Sequence, residues 1–68
     1  MTHKNDIFKG MQLILETYPE ANLDMQMEHD QIWLCTDYGE SITRMTPEQI
    51  NQMDELGWFE DYGAWSHF

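Results

Sequence analysis

Near its start the chain places apolar residues on a helical stripe. Ile7, Met11, Ile14, Leu15 and Tyr18 fall at i, i+4, i+7, i+8 and i+11, one face of an amphipathic helix over Asp6 to Tyr18. Asn5 or Asp6 can cap its N-terminus, and Pro19 ends it by disfavouring helix at the residue before. Phe8 lies off the stripe, so the apolar face is broad. The period then changes. Ala21, Leu23, Met25 and Met27 alternate with Asn22, Asp24, Gln26 and Glu28, which predicts a strand with one buried face and one wet, acidic face. His29-Asp30 provides a tight turn. The segment "QIWLCT" returns as a second strand, apolar on both faces because Trp33 and Cys35 oppose Ile32 and Leu34. That pattern fits a central strand, or a Trp33 exposed for a purpose.

"DYGES" reads as a loop, with Gly39 available for a turn. Next comes the best-signalled helix of the chain. Thr46 is its N-cap, Pro47 its first helical residue, and Gln49 completes a capping box with Thr46. Glu48 suits the positive end of the helix dipole. Ile50, Met53 and Leu56 form a narrow inward stripe, and Gly57 stops the helix. The tail "WFEDYGAWSHF" reads as strand material around a turn or bulge at "EDYG". The expected order is α-β-β-α-β, with a closing hairpin as a variant. The fold class expected is α+β: residues 1–68 as one small domain, an antiparallel sheet of three or four strands packed by two helices.

Length sharpens the picture. A chain of 68 residues buries only about 60% of its unfolded surface, so each large apolar side chain counts. Five of the nine aromatic residues lie in the last thirteen positions: Trp58, Phe59, Tyr62, Trp65 and Phe68. Buried, each contributes roughly 1.5–3 kcal/mol. Alternate strand residues face opposite sides, so one core cannot take all five, and the expectation is three structural aromatics and one or two at the surface. Cys35 is the single cysteine, which excludes a disulfide within the chain and suits a reducing compartment. No leader-like apolar region opens the sequence, and no apolar run approaches the ~20 residues of a membrane span. A soluble protein of the cytoplasm is expected.

Charge changes the picture most. Thirteen Asp and Glu oppose three Lys and Arg, for a formal net charge of -10. After Lys9 there are twelve acids and one base, Arg44. Such a surface repels nucleic acid and anionic lipid. It attracts a basic partner, and it also serves solubility alone.

Candidate chemistry is sparse. His3, His29 and His67 fall in no metal-ligand spacing, the alternating Asp/Asn of a calcium loop is absent, and the four glycines are scattered rather than grouped around a phosphate. Ser41, Ser66 and Cys35 lack a paired base in any nucleophile motif. No catalytic residue, metal or cofactor is assigned. Two features point to binding. Acids recur along successive elements at Asp24, Glu28, Asp30, Asp37, Glu40, Glu48, Asp54, Glu55, Glu60 and Asp61. Carboxylates on a rigid scaffold imitate a row of phosphates and can occupy a basic groove meant for DNA or RNA. Beside them stand Trp33, Trp58, Tyr62 and Trp65, residue types that anchor interfaces, although a tryptophan also serves simply as core. Tyr38 and Tyr62, each followed by Gly in an acidic stretch, are the stronger surface candidates. The residues assigned to partner binding are Asp24, Glu28, Asp30, Asp37, Tyr38, Glu40, Asp54, Glu55, Glu60, Asp61, Tyr62 and Trp65.

The stretch "ELGWFEDYGAWSHF", a capped helix ending in Leu-Gly-Trp-Phe, then acids, then a Trp three residues before Phe68, resembles the C-terminal half of many small bacteriophage proteins. The likeness spans roughly residues 46–68, with looser support from "ILETYPEANL". It implies a phage or prophage origin and a compact α+β fold. Small acidic phage proteins include inhibitors of host defence, among them anti-CRISPR proteins and nucleic-acid mimics, and no functional residue carries over from them. The expectation is a non-enzymatic inhibitor acting in the host cytoplasm on a basic, nucleic-acid-handling defence protein, without contacting nucleic acid or membrane itself. The alternative is a module that self-associates into a homodimer through exposed aromatics.

Overall fold

A computed structural model describes residues 4–68, with side chains from Asn5 onward; His3 lies outside the described residues. The elements run α1 (Lys4–Thr17), β1 (Met25–Glu28), β2 (Gln31–Leu34), α2 (Tyr38–Thr43), α3 (Pro47–Glu55), β3 (Trp58–Asp61) and β4 (Ala64–His67). The fold is α+β, with a four-stranded antiparallel sheet in the order β1-β2-β4-β3. β2 is central, as its apolar residues on both faces require.

Two tight turns close the two hairpins. His29 (φ 52) and Asp30 (φ 66) link β1 to β2, while Tyr62 (φ 52) and Gly63 (φ 74) link β3 to β4. Left-handed geometry at both central residues matches the strand twist. The "EDYG" segment is therefore a two-residue turn following a strand that already includes Glu60 and Asp61. α3 starts as its local chemistry dictates. Gln49 N–H donates to Thr46 Oγ1 (3.2 Å), and Thr46 N–H donates to Gln49 Oε1 (2.9 Å). Gly57, at φ 91, ends the C-terminal turn.

The core joins Ile14 of α1, Leu34 of β2, Met45, Met53 of α3, Trp58 of β3 and Trp65 of β4. Each sheet residue in it lies on the same face, through the registers Leu34↔Trp65, Ile32↔His67 and Trp58↔His67. Ile7, Met11, Leu13 and Ala21 pack around it. Two indoles tie the layers together: Trp58 Nε1–H donates to Asp6 O (3.3 Å), and Trp65 Nε1–H donates to Ser41 Oγ (2.9 Å).

Several expectations are corrected. The described residues form three helices, because "DYGES" is not a loop. Asp37 caps α2, accepting from Glu40 N–H at 3.1 Å, and α2 buries Ser41. α1 begins at Lys4 and ends at Thr17, so Asn5 and Asp6 lie in its first turn rather than before it. Leu15 sits at the rim of the stripe and is exposed, as is Phe8, while Leu13 packs inward. The alternating segment is strand only from Met25. Its expected buried face is open, with Met25 42% and Met27 69% exposed, because the helices cover the middle of the sheet and leave the β1 edge uncovered. Of the five tail aromatics, Trp58 and Trp65 are buried and Phe59 is half-buried, while Tyr62 and Phe68 are 91% and 64% exposed. The core thus takes two tail aromatics rather than three, because Phe59 falls on the sheet face opposite Trp58 and Trp65.

Candidate functional site

Alternation along the strands sends Glu28, Gln31, Trp33, Phe59, Asp61, Ala64 and Ser66 to the sheet face opposite the core. Trp33, Ser66 and Phe59 lie in one row across β2, β4 and β3. Ser66 is fully buried between its two large neighbours. Phe59 stacks on Phe68 with centroids 5.2 Å apart and planes at 29°. Asp61 crosses the row: its Oδ2 accepts from Trp33 Nε1–H (3.1 Å) and from Gln31 Nε2–H (2.8 Å). The carboxylate orients the indole, which is half-buried on this face. Beside it, Gln26, Glu28, Trp33, Cys35, Ala64 and Tyr62 border an open groove of about 320 Å³.

A second, larger cleft of about 460 Å³ lies between α3 and β3 and takes in Tyr38, Ile50, Asp54, Trp58, Glu60 and Trp65. Tyr38 meets Trp65 edge to face, with centroids 4.6 Å apart and planes at 64°. Burial, and then the Glu60 carboxylate, push the Tyr38 hydroxyl above its ordinary value, since both disfavour a phenolate there. Glu60 also accepts from Gly63 N–H (2.8 Å), which supports the Tyr62-Gly63 turn.

The residues expected to bind a partner therefore divide. Tyr38, Asp54, Glu60 and Trp65 meet at the α3–β3 cleft; Glu28 and Tyr62 border the open-face groove, and Asp61 lies on that face. Asp24 precedes β1, Asp30 sits in its turn, and Glu55 stands at the end of α3, where it accepts from Asn51 Nδ2–H (3.4 Å). Asp37 is occupied as a cap and Glu40 as an ion-pair partner of Arg44 (3.1 Å). Two assignments are corrected. Trp65 is 2% exposed and serves as a core residue, held by Ser41. Tyr38 is half-buried against it rather than free at the surface.

Trp33, Phe59 and Phe68 were not assigned to the binding set, yet they form the open face. The signal was present in β2, where Trp33 opposes Ile32 and Leu34. It was also present in β3, where Phe59 must face away from Trp58.

Most acids stand on the surface. Asp24, Glu28, Asp30, Asp37, Glu40, Glu48, Asp54, Glu55 and Glu60 are all exposed. Among the described residues, ion pairs to a permanent cation are made by Glu20 (2.6 Å) and Glu40, both with Arg44. The Arg44 guanidinium also lies 4.2 Å over the Tyr18 ring, and its bond to Glu40 raises its proton affinity further. Among the described residues no group of three or more His, Cys, Asp or Glu is placed to hold a metal ion, and no helix is long and apolar enough to cross a membrane. Comparison with protein-family models, with curated proteins and with solved structures finds no match to this chain.

Proposed function

We propose that this protein is a non-enzymatic binder and inhibitor of a basic, nucleic-acid-handling protein in the cytoplasm of the cell where it is made. The observation that carries the reading is the pairing of a solvent-facing aromatic row with unneutralised acid. Trp33, Phe59 and Phe68 lie on the sheet face outside the core. Around them Glu28, Asp30 and Asp61 carry charge that no Lys or Arg among the described residues cancels. Carboxylates fixed on short strands and tight turns lose little freedom on binding, so they steer a cationic surface and hold it. The rings supply the apolar anchor that charge alone lacks.

The test is a pull-down from lysate with the tagged chain, eluted along a salt gradient and identified by mass spectrometry. The purified partner is then challenged with DNA or RNA. A basic nucleic-acid-binding protein, released at moderate salt and displaced by nucleic acid, is the expected result. A bait that retains only itself, with a mass that grows with concentration and little salt sensitivity, overturns this reading in favour of a homodimer. The Phe59–Phe68 stack on an exposed face is the feature that favours that second reading.

A further inference from the structure

We propose that the free edge of β1 receives an extended segment of the partner as a fifth strand, one that alternates apolar residues with Lys or Arg. This rests on the reading of a basic protein partner and names the chemistry it presents.

The register decides which β1 groups are available. Cys35 N–H donates to Asp24 O at 2.9 Å, so Asp24 turns its backbone toward β2. Antiparallel pairing alternates inward and outward residues, so Gln26 and Glu28 do the same, opposite Trp33 and Gln31. Met25 and Met27 consequently aim their N–H and C=O groups away from the sheet, at an edge where all four strand residues are exposed. The other edge strand, β3, borders the cleft against α3.

Side chains at this edge specify the occupant. Met25 and Met27 share the face of Ile32 and Leu34 but lie beyond the reach of the helices, which leaves adaptable thioethers open to apolar neighbours on an added strand. On the opposite face stand Glu28 and Asp24, with Asp30 in the adjoining turn. An added strand places its side chains about 5 Å from these, so its residues on that face are best satisfied as Lys or Arg. A second copy of this chain is the poorer occupant, because pairing β1 with itself brings two such acidic sets together on molecules of net charge -10. Backbone pairing supplies affinity and the alternating pattern supplies selectivity, as in other strand-addition complexes.

The test titrates the full isotope-labelled chain with a short synthetic peptide alternating valine and lysine, and with a peptide of the same composition in block order. Slowed amide exchange at Met25 and Met27, with binding at least about tenfold tighter for the alternating peptide, is the expected result. Equal binding of the two peptides, or signal changes confined to the open face or to β3, overturns the proposal. Met27→Pro removes an outward N–H while keeping the β1–β2 ladder, and should abolish the preference. If that variant fails to fold, Glu28→Lys, which should weaken the lysine peptide and admit an alternating valine–glutamate one, takes its place. A lysate partner held equally by the unmodified, Met27→Pro and Glu28→Lys chains overturns the edge assignment alone. Absence of any salt-sensitive basic partner overturns the broader reading, whatever the peptides do.

Discussion

The indole N–H of Trp65 donates to the Ser41 hydroxyl at 2.9 Å, and both residues are sealed from water. This bond joins β4 to α2 across 24 positions of sequence. It explains why a tryptophan in an acidic, aromatic-rich tail belongs to the core. Removing the hydroxyl leaves a buried donor with nothing to replace it. Ser41→Ala should cost about 1–3 kcal/mol, read in urea unfolding as a lower midpoint at unchanged slope.

Gly10 gives a sign test. Helix propensity alone assigns Gly10→Ala a gain of about 1 kcal/mol. A Cβ at Gly10, however, would overlap the Trp58 indole at Nε1 and Cδ1. The ring would have to move and lose its bond to Asp6 O. Overpacking of this kind costs about 1–3 kcal/mol, so thermal unfolding should show a net loss.

Tyr38 links stability to alkaline pH. Its folded-state pKa lies above the ordinary 10.0 because of burial and then Glu60. Above pH 10 the unfolded chain gives up this proton first, so the folded chain holds more protons and stability falls as pH rises. The contribution is complete below 10 and is lost as pH climbs through the raised folded value. Tyr38→Phe should flatten this part of the alkaline profile. Glu60→Gln should bring the Tyr38 transition, followed by phenolate absorbance, to lower pH.

Tyr62 separates stability from binding. Its φ of 52 suits Asn or Gly far better than a bulky ring, and its side chain is 91% exposed. Tyr62→Asn creates the favoured Asn-Gly hairpin turn and should raise stability by about 0.5–1 kcal/mol. The same change removes an aromatic from the groove beside Trp33, so partner affinity should fall while the thermal midpoint rises. A variant that gains stability and keeps full affinity would remove Tyr62 from the interface.

Much of the fold is legible in short stretches of sequence because the responsible forces act within one turn or one hairpin. Thr46, Pro47 and Gln49 identify the start of α3 through reciprocal bonds three residues apart. Pro19 marks the boundary of α1, and the two sides of β2 reveal a central strand. α2 is not legible in the same way, because six residues with a glycine carry almost no periodic signal. Its stability comes from the Asp37 cap and from Ser41 buried against Trp65. The candidate surface is legible in its charge but not in its rings, since local sequence does not say which face of a strand the helices will cover.

The sequence by itself determined the α+β class, the capped third helix, the strand character of the tail and the acidic surface, since these follow from spacing and from ionised side chains that resist burial. Only the tertiary structure decided that Trp65 is core, that Met25 and Met27 are exposed, and that Trp33 and Phe59 share an uncovered face. The physical reason is that burial depends on what lies opposite a residue. In a sheet ordered β1-β2-β4-β3, three short helices cover one face around Trp58 and Trp65 and leave the β1 edge to solvent.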